Sequence, residues 1–357
     1  MLGASPSEAS ESTILGLVDR GGAGVLLAWS ALAESPLSDG ARRRLETIVR
    51  DAAVVDTWRS EACAAALDRL AGAGVPALVM KGASLSLTCY PAPHLRPRDD
   101  DDLLVPEDRF DAALDALRAA GYQVEPQQEA VLVTRQRHLT KRLPWGVHQV
   151  DLHRRPLNPV AFDGLPAFDR LAADAVALPA LGPSARGLGR VHTVIFLCAH
   201  RVAHHTVTTD QQWLLDLDLA ASRLTDAEWD ALTPLAIESG VAAVCAFELG
   251  RAVSVLGTPV PPRVLEALAR VRGEASAAHL RDLGPLYVEW LNLWHLPDTA
   301  ARLAFVRAHA LPPAAYMRAR FGGSPATPLA WLYARRLVGG LARWVREFAW
   351  RRRREVR

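Results

Sequence analysis

Four consecutive aspartates, Asp99 to Asp102, follow Arg96-Pro97-Arg98 and run directly into Leu103-Leu104-Val105. A polar run that ends this way enters a β-strand. Alternate side chains of a strand share a face, so Asp100 and Asp102 project together while Asp99 and Asp101 point the other way. Two carboxylates so placed at a strand's edge can jointly hold Mg²⁺, which takes hard oxygen ligands and keeps room for phosphate oxygens. Two such ions would neutralise a triphosphate and stabilise both the entering and leaving oxygens of phosphoryl transfer. Adjacent carboxylates repel one another unless a cation sits among them, so their clustering itself points to a metal. The plain alternative is a solvated acidic loop, because isolated Asp-x-Asp pairs are common. What favours the metal is the frame: an apolar run ending in Lys81-Gly82, a helix, and an arginine four residues before Asp100.

The elements that must position these carboxylates can be read from periodicity. Residues 1–74 read as a helical region, with apolar residues at three- and four-residue spacing through Ile14–Leu32 and Leu45–Leu70, closed by Gly72 and Gly74. The texture then changes. Val75–Met80 is a short apolar run suited to a buried strand, Ala83–Cys89 is helical, and Tyr90–Pro97 is a proline-rich turn. Asp102–Val105 is a second strand. Glu107–Ala120 is an amphipathic helix with Phe110, Leu114 and Leu117 on one face and Gly121 as its stop. Val131–Thr134 and Val147–Leu152 make two more strands. The expectation is an α+β fold: a small mixed β-sheet core over 75–178, flanked by the N-terminal helices and by a C-terminal helical domain over 179–334. Five helices are expected in that domain: Val191–Val207, Gln211–Leu224, Ala227–Leu235, Ala242–Leu256 and Pro262–Arg272.

Several short motifs recur in one known family. Met80-Lys81-Gly82-Ala83-Ser84-Leu85 is followed by Arg96-Pro97 with Asp100 and Asp102, then Gly121-Tyr122, then Asp151-Leu152-His153. In these the chain resembles the uncharacterised nucleotidyltransferases of the polymerase-beta-like superfamily. Their pattern is Leu-Lys-Gly-Ala-Ala-Leu, Arg-Pro-x-x-Asp-x-Asp-Leu-Leu-Val, a helix ending in Gly-Tyr, and an acidic-Leu-His triplet. The likeness extends over roughly residues 55–225, taking in His200 and Trp213-Leu214-Leu215-Asp216. More distantly the chain is similar to toxin-type nucleotidyltransferases of abortive-infection systems.

The resemblance implies a nucleotidyltransferase core and a role for each matching position. Asp100, Asp102 and Asp151 would be the catalytic and metal-binding carboxylates, with two Mg²⁺ ions. Asp151 would share the metal near the acceptor hydroxyl and help to deprotonate it. Gly82 would let the backbone approach phosphate, with the helix from Ala83 aiming its N–H groups there. Lys81 and Arg96 would neutralise phosphate charge, His153 would bind phosphate, shuttle a proton or simply stack in the core, and His200 would line the nucleotide cleft or stand as a helix-face histidine. The superfamily at large carries Gly-Ser or Gly-Gly at the nucleotide-binding turn. Here Gly82-Ala83 stands instead, with Ser84 supplying the hydroxyl one position late. The activity implied is Mg²⁺-dependent transfer of a nucleoside monophosphate from NTP to an unknown acceptor. Two readings compete with it: a non-catalytic adaptor of the same fold that binds peptide or nucleic acid, and a glycosyltransferase that uses Asp-x-Asp to hold a sugar nucleotide.

Other residues draw chemical readings of their own. Cys198, His200, His204 and His205 suggest zinc, since His200 and His204 lie one helical turn apart, but no clean fourth ligand follows. Asp216 and Asp218 repeat Asp-x-Asp within a helical pattern, where residues two apart diverge by roughly 200° and cannot chelate one ion together. Cys63, Cys89, Cys198 and Cys245 are far apart and form no CxxC pair, which argues against a disulfide framework and for a reducing cytosol. No signal peptide or 20-residue apolar span is visible, so the chain is expected to be soluble and cytoplasmic. Residues 335–357 hold nine arginines against Glu347 and Glu355, or +7 in a chain whose total is +2. Interleaved with Leu337, Leu341, Trp344, Val345 and Phe348, they read as a basic amphipathic tail suited to RNA, DNA or an anionic membrane surface.

Overall fold

The computed structural model describes residues 11–19, 23–125, 135–204, 211–281, 285–322 and 327–340. Three helices open the chain, α1 (Glu11–Val18), α2 (Gly24–Glu34) and α3 (Asp39–Gly72). Ser38 caps α3 by accepting from the Ala41 N–H at 3.3 Å, and Gly74, in the left-handed region at φ +69°, turns the chain out of it. Only the last part of this long helix reaches the sheet, where Cys63, Ala66, Leu67 and Leu70 are buried at three- and four-residue spacing.

The central unit runs β1 (Leu78–Met80), α4 (Lys81–Thr88), β2 (Asp101–Leu104), α5 (Phe110–Ala119), β3 (Gln123–Val124), β4 (Gln136–Leu143), β5 (Gly146–His153), α6 (Phe168–Ala173), β6 (Val176–Ala177) and β7 (Arg186–Gly187). Its strands form one mixed seven-stranded sheet in the order β3-β4-β5-β2-β1-β7-β6. β2 runs parallel to β5 and antiparallel to β1, while β4 and β5 are an antiparallel hairpin. The five expected helices of the C-terminal region are present as α7 (Arg190–His204), α8 (Gln211–Ala221), α9 (Asp226–Glu238), α10 (Ala242–Leu256) and α11 (Pro262–Ala269). Beyond them lie α12 (Pro285–His295), α13 (Thr299–Ala310), α14 (Ala314–Phe321) and a helical segment over 329–340. The fold is therefore α+β, a mixed sheet flanked by N-terminal helices and a C-terminal helical region. No helix among the described residues is long and apolar enough to cross a membrane.

Strand alternation divides the core in two. Val79, Leu103, Val105, Val150, Leu152 and Leu139 face α3 and α5, whose Phe110, Ala113, Leu114 and Leu117 complete that side. Leu78, Met80 and Leu104 face the other way, into a cluster built largely from α7 to α11. Burying each such large apolar side chain contributes roughly 1.5–3 kcal/mol, which is what holds the strands in register.

Some expected boundaries shift. The strand expected at Val131–Thr134 lies outside the described residues. β4 starts at Gln136, a segment too polar to show an apolar alternation. The sheet also extends past residue 178 to Gly187, through two-residue strands too short to leave a periodic signal.

The face of β2 that carries Asp101 is structural. Asp101 is fully buried; Arg98 Nε donates to its Oδ1 at 2.9 Å and His148 Nε2 to its Oδ2 at 2.7 Å. Tyr122 Oη meets His148 Nδ1 at 2.6 Å, and Arg98 continues to Asp56 and Ser60 of α3. Burial alone would raise the Asp101 carboxyl, but His148 and Arg98 outweigh it and hold it below the ordinary carboxylate range. Asp99, by contrast, is exposed, with Arg59 at 3.7 Å. We therefore expect Asp101→Ala to lower stability by about 2–4 kcal/mol, because it leaves the buried Arg98 Nε and His148 Nε2 without their acceptor while Arg98 keeps Asp56, and Asp99→Ala to stay within about 0.5 kcal/mol. Urea denaturation of both variants checks this; equal losses would refute the division of roles.

Candidate functional site

The opposite face gathers the other carboxylates. Met80, Asp102, Asp151 and His138 occupy one row across β1, β2, β5 and β4, since Met80 pairs with Asp102, Asp102 with Asp151, and Asp151 with His138. Residues opposite one another in register project to one side, so sequence separations of 13 to 71 residues collapse to neighbouring positions. His153, two residues beyond Asp151 on β5, shares that side.

Within this row Asp102 is buried, and its Oδ1 accepts from His153 Nε2 at 2.8 Å and from the Lys81 ammonium. Burial pushes its carboxyl upward, yet the Lys81 charge and the His153 and Lys81 hydrogen bonds prevail and hold it down to about 2. Asp151 accepts from His138 Nδ1 at 2.7 Å and from Gln136 Nε2 at 3.1 Å. The bond to Asp151 raises His138 against the opposing effect of burial. Lys81 itself stands at the junction of β1 and α4 with φ +48°, the one non-glycine residue at positive φ among those described. Backbone held in that region persists where surrounding structure fixes it, here through the Asp102 ion pair.

Ligand atoms of Asp102, Asp151 and His153 lie within 4.8 Å of one another, the one such metal-competent group found among the described residues. The two carboxylates suit a hard divalent cation such as Mg²⁺ or Mn²⁺, and the imidazole adds a softer donor of the kind transition metals take. A further observation fits: an imidazole that donates from Nε2 keeps a lone pair on Nδ1, and His153 Nδ1 is buried without a hydrogen-bond partner. The donor set amounts to one three-ligand site, whereas the Asp-x-Asp pattern had suggested two ions. Asp100 stands just outside the trio. It makes no hydrogen bond or ion pair among the described residues, and its carboxyl is raised to about 6 by burial and then by the charges of Asp102 and Asp151.

The remaining expected residues have other neighbours. Arg96 does not stand free for phosphate: its Nη2 and Nε donate to Asp216 of α8 at 2.8 and 3.3 Å, and its Nη1 to the Pro97 carbonyl at 2.9 Å. Tyr90 and Gln212 complete that buried cluster on Asp216. Gly82 also has a steric reason to be glycine, since a Cβ there would fall 2.8 Å from Arg96 Nη1 and 3.1 Å from Arg98 Cβ. Ser84 is buried with its hydroxyl directed at Gly187, where a Cβ would come within 2.4 Å of it. His200 stacks on Trp213 with ring centroids 4.6 Å apart. As helical geometry required, Asp216 and Asp218 diverge, Asp218 accepting from Thr258 at 2.6 Å. Of the zinc candidates, His205 lies outside the described residues, and the cysteines and His200 join no metal-competent group among the described residues.

His138 and Gln136 escaped the sequence reading. Their signal was the polar alternation of Gln136, His138 and Thr140, visible only once β4 is known to pair with β5.

Residues 24–257 match the model of a family described as uncharacterised nucleotidyltransferase. That span starts with α2 and closes just after α10, and so contains the whole sheet. No match is found among curated proteins.

The Asp100 shift carries a stability consequence. Its folded-state value, near 6, lies above the ordinary 3.8, so the charged form is disfavoured by folding. Destabilisation is complete above pH 6 and is relieved as pH falls towards 4. With chelator present, Asp100→Asn should stabilise the protein at pH 7.5 by on the order of 2 kcal/mol, discounted for the exposed part of the carboxyl. That advantage should vanish by pH 4. Thermal melts across this range provide the check, and a variant no more stable than the parent at pH 7.5 would contradict the charge arrangement.

Proposed function

Because the chain belongs to this family of uncharacterised nucleotidyltransferases, we propose that it transfers a nucleoside monophosphate from an NTP to a hydroxyl-bearing acceptor. The observation that carries this reading is the convergence of Asp102, Asp151 and His153 within 4.8 Å beside Lys81. A divalent cation held by those three residues would supply charge neutralisation at the triphosphate.

The chain's own groups then have distinct tasks. Lys81, already against Asp102, offers an ammonium to phosphate oxygens. His138 and Gln136 fix the orientation of Asp151 by bonding one to each of its oxygens. The acceptor hydroxyl attacks the α-phosphorus, the bond from that phosphorus to the bridging oxygen breaks, and pyrophosphate leaves with the electron pair. Asp100, unpartnered and raised to about 6, is the better suited of the carboxylates to take the hydroxyl proton. Asp151, assigned that task by family resemblance, is already committed to two donors.

A second reading is supported by the neighbourhood of Gly82. Arg96 and Arg98 pack against that glycine, and Arg96 is engaged by Asp216. That arrangement suits a non-catalytic adaptor of the same fold. Incubation with each α-labelled NTP and Mg²⁺ or Mn²⁺, reading pyrophosphate, separates the two. We expect release with at least one NTP, and a loss of about 10³-fold or more in Asp102→Asn and Asp151→Asn, equivalent to several kcal/mol of transition-state stabilisation. Absence of pyrophosphate with every NTP and metal would favour the adaptor. Release that survives Asp102→Asn would reject the site.

A further inference from the structure

The C-terminal helices concentrate two properties that the proposed catalysis does not use. Of sixteen large hydrophobic residues exposed on the described surface, eight lie between Trp290 and Val338. They include Trp290, Trp294 and Trp331, which are 50%, 53% and 63% exposed. From residue 285 onward the sequence is also strongly basic. Residues 285–357 carry thirteen arginines against Glu289, Asp298, Glu347 and Glu355, so +9, leaving −7 for the other residues of a chain whose total is +2.

The two properties are interleaved in space. Trp290 and Trp294, one helical turn apart on α12, have ring centroids 5.8 Å apart. The Arg302 guanidinium of α13 lies over Trp294 at 5.3 Å, beside exposed Leu303. The 329–340 segment docks through buried Leu332, through Tyr333 Oη on the Pro312 carbonyl, and through Arg336 on the His309 carbonyl. Trp331, Leu337 and Val338 are left exposed, with Arg335 among them. None of Arg302, Arg307, Arg320, Arg335 and Arg336 pairs with a carboxylate among the described residues, so their charge is uncompensated there.

We propose that this C-terminal surface docks on an anionic phospholipid bilayer, with the tryptophans at headgroup level and the aliphatic side chains below them. Charge complementarity selects a polyanion, and the apolar residues choose among polyanions. Indole rings favour the boundary between water and hydrocarbon, where one end of the ring is dry and the other wet. Exposed Leu303, Val306, Leu311, Leu337 and Val338 gain by entering acyl chains, whereas a nucleic acid offers them only phosphates and base faces. Each arginine near an anionic surface adds to the attraction. No described helix spans a bilayer, so the association is peripheral.

Cosedimentation of the full chain with vesicles tests this. The protein should pellet with vesicles of phosphatidylglycerol and phosphatidylcholine, tenfold or more beyond pure phosphatidylcholine, and 0.5 M salt should weaken the binding. The double variant Trp290→Ala/Trp294→Ala should lose at least tenfold in vesicle affinity while keeping the parent's circular dichroism. Leu337→Glu/Val338→Glu, on a separate helix, should do the same. Equal pelleting with neutral vesicles, or unchanged affinity in both variants, would overturn the proposal. So would preferential capture of an RNA oligonucleotide that displaces the vesicles, or a dimer in light scattering that both variants convert to monomer.

Discussion

The two-residue period of β2 is the constraint on which everything else rests. Asp101 and Asp102 are adjacent in the chain and both buried, yet they emerge on opposite faces of one sheet. A buried carboxylate persists only where charge and hydrogen bonds compensate its lost hydration. Each face therefore has to supply its own set: Arg98 and His148 on one side, Lys81 and His153 on the other. A slip of one residue against β5 would exchange the two carboxylates and leave both uncompensated. The apolar alternation of Leu103 and Leu104, one into each core, locks the same register.

This duality explains the aspartate run better than a metal alone. Four adjacent carboxylates look like a single acidic site, but in the fold they separate into four environments. Asp99 is in water, Asp100 is half-buried without a partner, Asp101 is a structural anchor, and Asp102 is an ion-paired member of the converging group. Only the last is compensated by groups that also face Asp151. At Asp100 a charged side chain loses hydration that no partner replaces, at a cost in stability.

How far these arrangements were legible in the sequence depends on the period and length of each element. α5 declared itself through Phe110, Leu114 and Leu117 at helical spacing with Gly121 after them, and α10 was matched at both ends. β3, β6 and β7 have two residues each and carry no pattern at all. The pairing of Asp102 with Asp151 was reachable through the motifs shared with the family, since nothing local to either residue specifies a partner 49 positions away. The partner of Arg96 was out of reach for the same reason. Its nearest acidic neighbours in sequence are Asp99 and Asp100, whereas the carboxylate it meets is Asp216 of α8, beyond the entire sheet. His138 shows a third limit: a strand with one face on a charged site and the other only partly covered lacks the apolar signature by which strands are recognised.

The Arg96–Asp216 pair bridges 120 positions of the chain and joins the turn ahead of β2 to the C-terminal helices. A fragment ending after β7 would retain every strand but lose both the counter-ion of Arg96 and the helix that encloses it, and would open the apolar face that α7 to α11 cover. The helical region is thus a structural prerequisite of the carboxylate-bearing sheet. Truncation upstream of α8 would expose the back of the carboxylate-bearing sheet and release the turn that leads into it.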